Sequence, residues 1–278
     1  MKYMTLLLAT AGLAAAATPA FAQDARDTHF DGLYVQGFGG YAVQSNDAGD
    51  TLVFDTDQDG QYGDPVLTST GTNAFSPGFC DGRARTAVAA DGCRNDTDGA
   101  EYGARIGYDA RMGDFVIGGL VEASKAEARD YTSGFSTTPA SYAIRRELDY
   151  NVALRARAGF TPGGGALFYA TGGATYGKID HDFATTNTAN SFNVQRGKKG
   201  VFGWQAGGGT EIMLTNNMTL GLEYLYSRYN DDKSYVLVGP GTAPATNPFL
   251  LDSGATRLRG SDNRFDFHSL RATIGFQF

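Results

Sequence analysis

Hydrophobic residues recur at every second position through several long stretches of the chain. The clearest stretch is Glu147–Phe160. Leu148, Tyr150, Val152, Leu154, Ala156, Ala158 and Phe160 share one face of an extended chain, while Asp149, Asn151, Arg155, Arg157 and Gly159 share the other. A period of two is the signature of a strand. The pattern predicts eight strands: Leu33–Val43, Glu101–Ala110, Phe115–Ala126, Glu147–Phe160, Ala166–Asp180, Gly200–Leu214, Met218–Tyr229 and Arg264–Phe278. The fifth is so rich in glycine that its parity stays open. The eighth alternates Leu270, Ala272, Ile274, Phe276 and Phe278 with Ser269, Arg271, Thr273, Gly275 and Gln277.

The connections alternate in length. Arg111–Asp114, Thr161–Gly165 and Thr215–Asn217 are tight turns, whereas residues 44–100, 127–146, 180–199 and 230–263 are long and mostly polar. Short turns at one end and long loops at the other belong to barrels that cross an outer membrane. The polar face carries Arg105, Asp109, Glu122, Arg155, Arg157, Glu211, Glu223 and Arg271. A soluble ligand-binding barrel would reverse the faces, apolar inside and polar outside. In lipid, an open sheet edge leaves backbone groups without partners, so the last strand must close on the first. The expected fold is all-β: an eight-stranded antiparallel transmembrane up-and-down β-barrel. Its long loops would be extracellular and both termini periplasmic. Aromatics near strand ends, such as Phe115, Phe160, Tyr150 and Trp204, would sit at the two membrane interfaces.

Composition agrees. The 278 residues include 38 Gly, 15 Tyr and 18 Phe, which suits closely packed strands better than helices. The formal net charge of −7 argues against nucleic acid as a partner. Residues 1–22 read as a secretory signal: Lys2, an apolar run from Leu6 to Ala17, then Ala20-Phe21-Ala22 as the cleavage site. Residues 23–278 would form the barrel domain.

Several stretches resemble a known family. They are Gly32-Leu33-Tyr34-Val35, Tyr169-Ala170-Thr171-Gly172-Gly173, Gly203-Trp204-Gln205-Ala206-Gly207-Gly208-Gly209, Leu222-Glu223-Tyr224-Leu225-Tyr226 and the closing strand with its final Phe278. They are similar to the small outer-membrane β-barrels of the opacity-like surface-antigen family of Gram-negative bacteria. The resemblance covers the strands and none of the loops. It implies an eight-stranded, surface-exposed barrel and no reaction.

Candidate chemistry lies in three places. Eight strands enclose a lumen just wide enough for side chains. Its charges would either form a salt-bridge network that plugs the barrel or line a narrow ion path. In the first long loop, Asp55-Thr56-Asp57-Gln58-Asp59-Gly60 matches the opening of a calcium loop. Asp55, Asp57, Asp59 and Asp64 are the candidate ligands; a solvated acidic tip is the alternative, because Val66 stands where a bidentate Glu is expected. No other cofactor is indicated. Cys80 and Cys93 share that loop, and an exported chain favours a disulfide between them. No enzyme chemistry is expected. His268 and Ser269 point to opposite faces, and His181, between Asp180 and Asp182, has no serine beside it in sequence. Tyr131, Tyr142 and Tyr235 are candidate adhesive loop tips. The expected partners are outer-membrane lipid, lipopolysaccharide and an extracellular or host surface ligand, with the barrel monomeric.

Overall fold

The computed structural model describes residues 29–45 and 49–278. The secretory signal expected over residues 1–22 lies outside the described residues. In chain order the strands are β1 (Gly32–Gln44), β2 (Leu52–Asp55), β3 (Gly78–Asp81), β4 (Arg83–Ala84), β5 (Cys93–Arg94), β6 (Gly99–Met112), β7 (Phe115–Ala126) and β8 (Arg129–Ser136). They continue as β9 (Ala140–Phe160), β10 (Ala166–Thr185), β11 (Ser191–Gln195), β12 (Lys198–Met213), β13 (Met218–Asn230), β14 (Tyr235–Gly239), β15 (Thr256–Gly260) and β16 (Arg264–Gln277).

Eight of these strands close a barrel. Each pairs antiparallel with both neighbours in the order β1, β6, β7, β9, β10, β12, β13, β16 and back to β1. The closing pair sets Val35 opposite Phe276 and Tyr41 opposite Leu270. No barrel edge is left to seek another chain. The apolar face of each strand points outward: Leu154 is 65% exposed and Phe202 71%. Water would not tolerate so continuous an apolar wall. No described helix is long and apolar enough to cross a membrane.

The parity of β10 is resolved. Leu167, Tyr169, Thr171, Thr175 and Ile179 point inward and are buried, while Phe168 and Tyr176 point outward. One local expectation fails. Leu148 is 1% exposed and faces inward, and Asp149 is not in the lumen. The cause is a register shift: Tyr150 pairs with Lys178 and Leu148 with Ile179, so Asp149 is passed over. Such a bulge flips every side chain beyond it to the other face.

The larger difference lies at the long-loop end. The strands do not stop at the expected boundaries. β9 begins at Ala140 instead of Glu147, and β10 runs on to Thr185. β8 pairs with β9, and β3 with β8, so the barrel wall continues upward as an extended hairpin. Beside it, β11, β14, β15 and β2 form a separate four-stranded antiparallel sheet. Between them lies a second hydrophobic core of Leu52, Phe54, Val66, Phe75, Tyr142, Val236, Val238, Phe249 and Leu258. The stretches expected to be polar loops are thus a folded cap. Tyr142 is 2% exposed and Tyr131 is also buried, so neither is an adhesive tip; Tyr235 is half-buried.

Candidate functional site

Strand register brings the inward charges together. Arg105 of β6 stands opposite Gln36 of β1 and Glu122 of β7. Arg271 of β16 stands opposite Glu223 of β13. Glycines make room for the long side chains. The ring of Tyr34 lies where a Cβ on Gly107 would be, and the carboxylate of Asp109 where one on Gly118 would be.

The result is one connected network. Arg105 donates from Nη1 to Glu223 Oε2 at 2.6 Å and from Nε to Gln36 Oε1 at 2.6 Å. Arg271 donates from Nη1 to Glu122 Oε1 at 2.7 Å and from Nε to Glu101 Oε2 at 3.0 Å. Arg157 donates from Nε to Asp109 Oδ1 and from Nη1 to Glu211 Oε1, both at 2.8 Å. Arg155 pairs with Glu122 and, at 3.4 Å, with Glu223. Glu223 therefore touches three arginines. Three aromatic faces lie against lumen guanidinium groups, Tyr34 and Tyr169 against Arg157 at 4.3 and 5.2 Å and Phe38 against Arg271 at 4.6 Å.

All eight sequence-derived lumen residues sit in this network, and all are buried. The signs do not balance as four against four, because Glu101 is a fifth carboxylate. Its parity with Arg105 and Asp109 was the signal that could have found it. Gln36 and Tyr169 supply neutral donors for the surplus acceptor. Gln36 Nε2 donates to Glu211 Oε2, and Tyr169 Oη to Glu223 Oε2, both at 2.9 Å. Tyr169 was hidden by the open parity of its strand.

Apolar layers bracket the ionic one. Toward the cap, Ala42, Ala126, Leu148, Ile179, Val201, Tyr229, Phe265 and Phe267 fill the barrel. Toward the short turns, Phe30, Val116, Leu167 and Tyr169 do so. The ions thus sit in a water-poor section, where each needs its partner.

The cap holds the remaining candidates. Cys80 and Cys93 form a disulfide with a Cα–Cα separation of 6.2 Å, tying β3 to β5. Asp55, Asp57 and Asp59 bring carboxylate oxygens within 4.8 Å of one another. Asp64 is not part of that group and braces the loop: its Oδ2 accepts from Thr56 N at 2.8 Å. A second acidic cluster, Asp81, Asp96 and Asp130, was not anticipated as a unit. Burial first, then the neighbouring Asp130 and Asp81 charges, pushes the Asp96 carboxyl up to about 8.

His181 has company that sequence could not reveal. Its Nε2 lies 2.7 Å from Asp231 Oδ2 and its Nδ1 3.2 Å from Ser234 Oγ, some fifty residues along the chain. The order serine, histidine, aspartate is that of a hydrolytic triad. Here, however, Ser234 Oγ donates to Arg196 O at 3.0 Å, and Nδ1 also faces Gly197 O at 3.4 Å. The hydroxyl hydrogen is committed to a carbonyl, and the histidine ties β10 to the segment after β13. His268 lies on the outer wall against Tyr224, and Ser269 points inward.

Comparison with known proteins agrees with this architecture. The family model described as outer membrane protein beta-barrel domain matches residues 6–278. The 31 kDa outer-membrane immunogenic proteins of Brucella melitensis and Brucella suis are each 29% identical over 130 residues. That match covers 45% of this chain and spans only 44% of each relative's length. Among solved structures, the outer membrane protein OprG from Pseudomonas aeruginosa is similar in fold. It has a TM-score of 0.50 and 15% identity, with 90% of this chain and 97% of that one covered.

Proposed function

The chain belongs to the outer membrane protein beta-barrel family, and from that premise we propose that it is a surface barrel of structural and interactive role, with its lumen plugged. One observation carries the reading. The four lumen arginines and five lumen carboxylates are all buried and mutually paired, with apolar side chains packed above and below. A conducting path would need water and mobile ions at that level, which the packed layers oppose.

In this reading the cap is extracellular, and the short turns and both termini are periplasmic. The barrel anchors the outer membrane as a monomer and presents the folded cap to lipopolysaccharide and to extracellular or host surfaces. That the Brucella relatives are immunogenic outer-membrane proteins supports exposure of that surface. No catalytic step is assigned, and lipid A masses should be unchanged when the chain is expressed. Planar-bilayer recording tests the plug. Silence is expected. Steady, discrete openings would overturn it in favour of a small-solute channel.

A further inference from the structure

The turn after β2 carries chemistry that the plugged-barrel reading does not use. Asp55 ends β2 and its side chain is fully buried. Its Oδ2 accepts from Gly60 N and from Arg257 Nη1 on β15, both at 3.1 Å. Its Oδ1 is buried with no hydrogen-bond donor among the described residues. A buried carboxylate oxygen left without a partner costs stability. Asp57 and Asp59 are exposed, yet one carboxylate oxygen from each of Asp55, Asp57 and Asp59 lies within 4.8 Å of the other two. Three negative charges so close repel one another, and Arg257 answers only one of them.

The backbone explains the convergence. Gln58 at φ 64° and Gly60 at φ 91° curl the chain so that residues 55, 57 and 59 face one point. The donor set is all oxygen and anionic, which selects a hard divalent cation. Magnesium prefers near-ideal octahedral geometry and keeps its water, whereas calcium accepts irregular oxygen shells. We propose that Asp55, Asp57 and Asp59 hold a calcium ion that fixes the turn by which the first long connection meets the fourth. The lock is already half-built: Gln58 Nε2 donates to Ser253 Oγ at 2.9 Å, and Ser253 Oγ to Thr56 O at 2.6 Å. Asp64 is not a ligand, and Val66, at the position of the usual closing Glu, is buried in the cap core. The site is therefore no EF-hand; backbone carbonyls and water complete the shell.

The inference is independent of whether the lumen conducts. Its test uses the full chain folded in detergent, with Tb³⁺ and Ca²⁺ as probes. Tb³⁺ luminescence sensitised by tyrosine should appear and be displaced by calcium, with a dissociation constant of about 10⁻⁴–10⁻³ M, as in extracellular modules. Calcium should raise the cap's melting temperature relative to chelator. The Asp57→Asn/Asp59→Asn chain should lose both responses while melting like the parent in chelator, since both positions are exposed. Asp57→Asn alone should weaken calcium by about tenfold, roughly one lost charged ligand. Asp91→Asn, an exposed acid elsewhere in the cap, should change nothing. Absence of both responses in the parent chain, or their survival in the double variant, overturns the site.

Discussion

The lumen and the cap solve one problem with opposite materials. Both are buried interiors enclosed by strands. The lumen is filled with paired ions, and the cap with aromatic rings. In the cap, Phe54, Phe75, Tyr142, Phe192 and Phe249 meet at centroid distances of 4.5–6.5 Å. Lipid explains the inversion. A strand whose outer face must be apolar has its other face free to be polar, and in a narrow barrel that face becomes the interior. Above the membrane the outer surface meets water, so the ordinary arrangement returns. The two regions should also fail differently. Losing one ion strands its partners, whereas losing one ring leaves a cavity that neighbours can partly fill.

The largest expected effect is in the lumen. Glu223→Ala removes the carboxylate shared by Arg105, Arg155 and Arg271. Breaking a buried ion pair from one side costs about 3–5 kcal/mol. The barrel should lose its heat-resistant mobility on cold denaturing gels at a lower temperature than the parent. An unchanged transition would mean that the network does not hold the barrel.

Phe249→Ala comes next and should separate the two regions. It opens the cap core where Phe54, Phe75, Tyr142 and Phe192 converge, at a cost of about 3 kcal/mol. Proteolysis of the cap should accelerate while the barrel's heat resistance stays as it was. If the barrel melted with it, the two cores would be one cooperative unit.

The smallest effect is a pH dependence confined to the cap. Asp96 has its carboxyl pushed up to about 8, by burial first and then by the Asp130 and Asp81 charges. The native cap thus binds a proton that the unfolded chain, with an ordinary carboxyl near 4, has already released. Its contribution is full below about pH 4 and is lost as pH rises through 8. Asp96→Asn should stabilise the cap more at pH 9, where the native carboxyl is ionised, than at pH 5, where Asp96 is protonated in the native cap. Cap proteolysis rates at the two pH values check the sign, and equal effects at both would remove Asp96 as the cause.

Strand number, order, face and the charged lumen are legible in the sequence because side-chain parity is a local property. Alternation among residues such as Val152, Leu154 and Arg155 follows from the pleat alone, whatever they later touch. The same logic missed the flip at Leu148, because a bulge is set by pairing with Lys178 and Ile179 on the next strand. It also missed the cap. Phe75, Tyr142 and Phe249 share no period and come from three different connections, so nothing in any one segment marks them as a core. Likewise His181, Asp231 and Ser234 meet only because β10 and the segment after β13 rise side by side. Local geometry writes itself into one stretch of chain; contacts between distant stretches exist only once the barrel has closed and set its loops together.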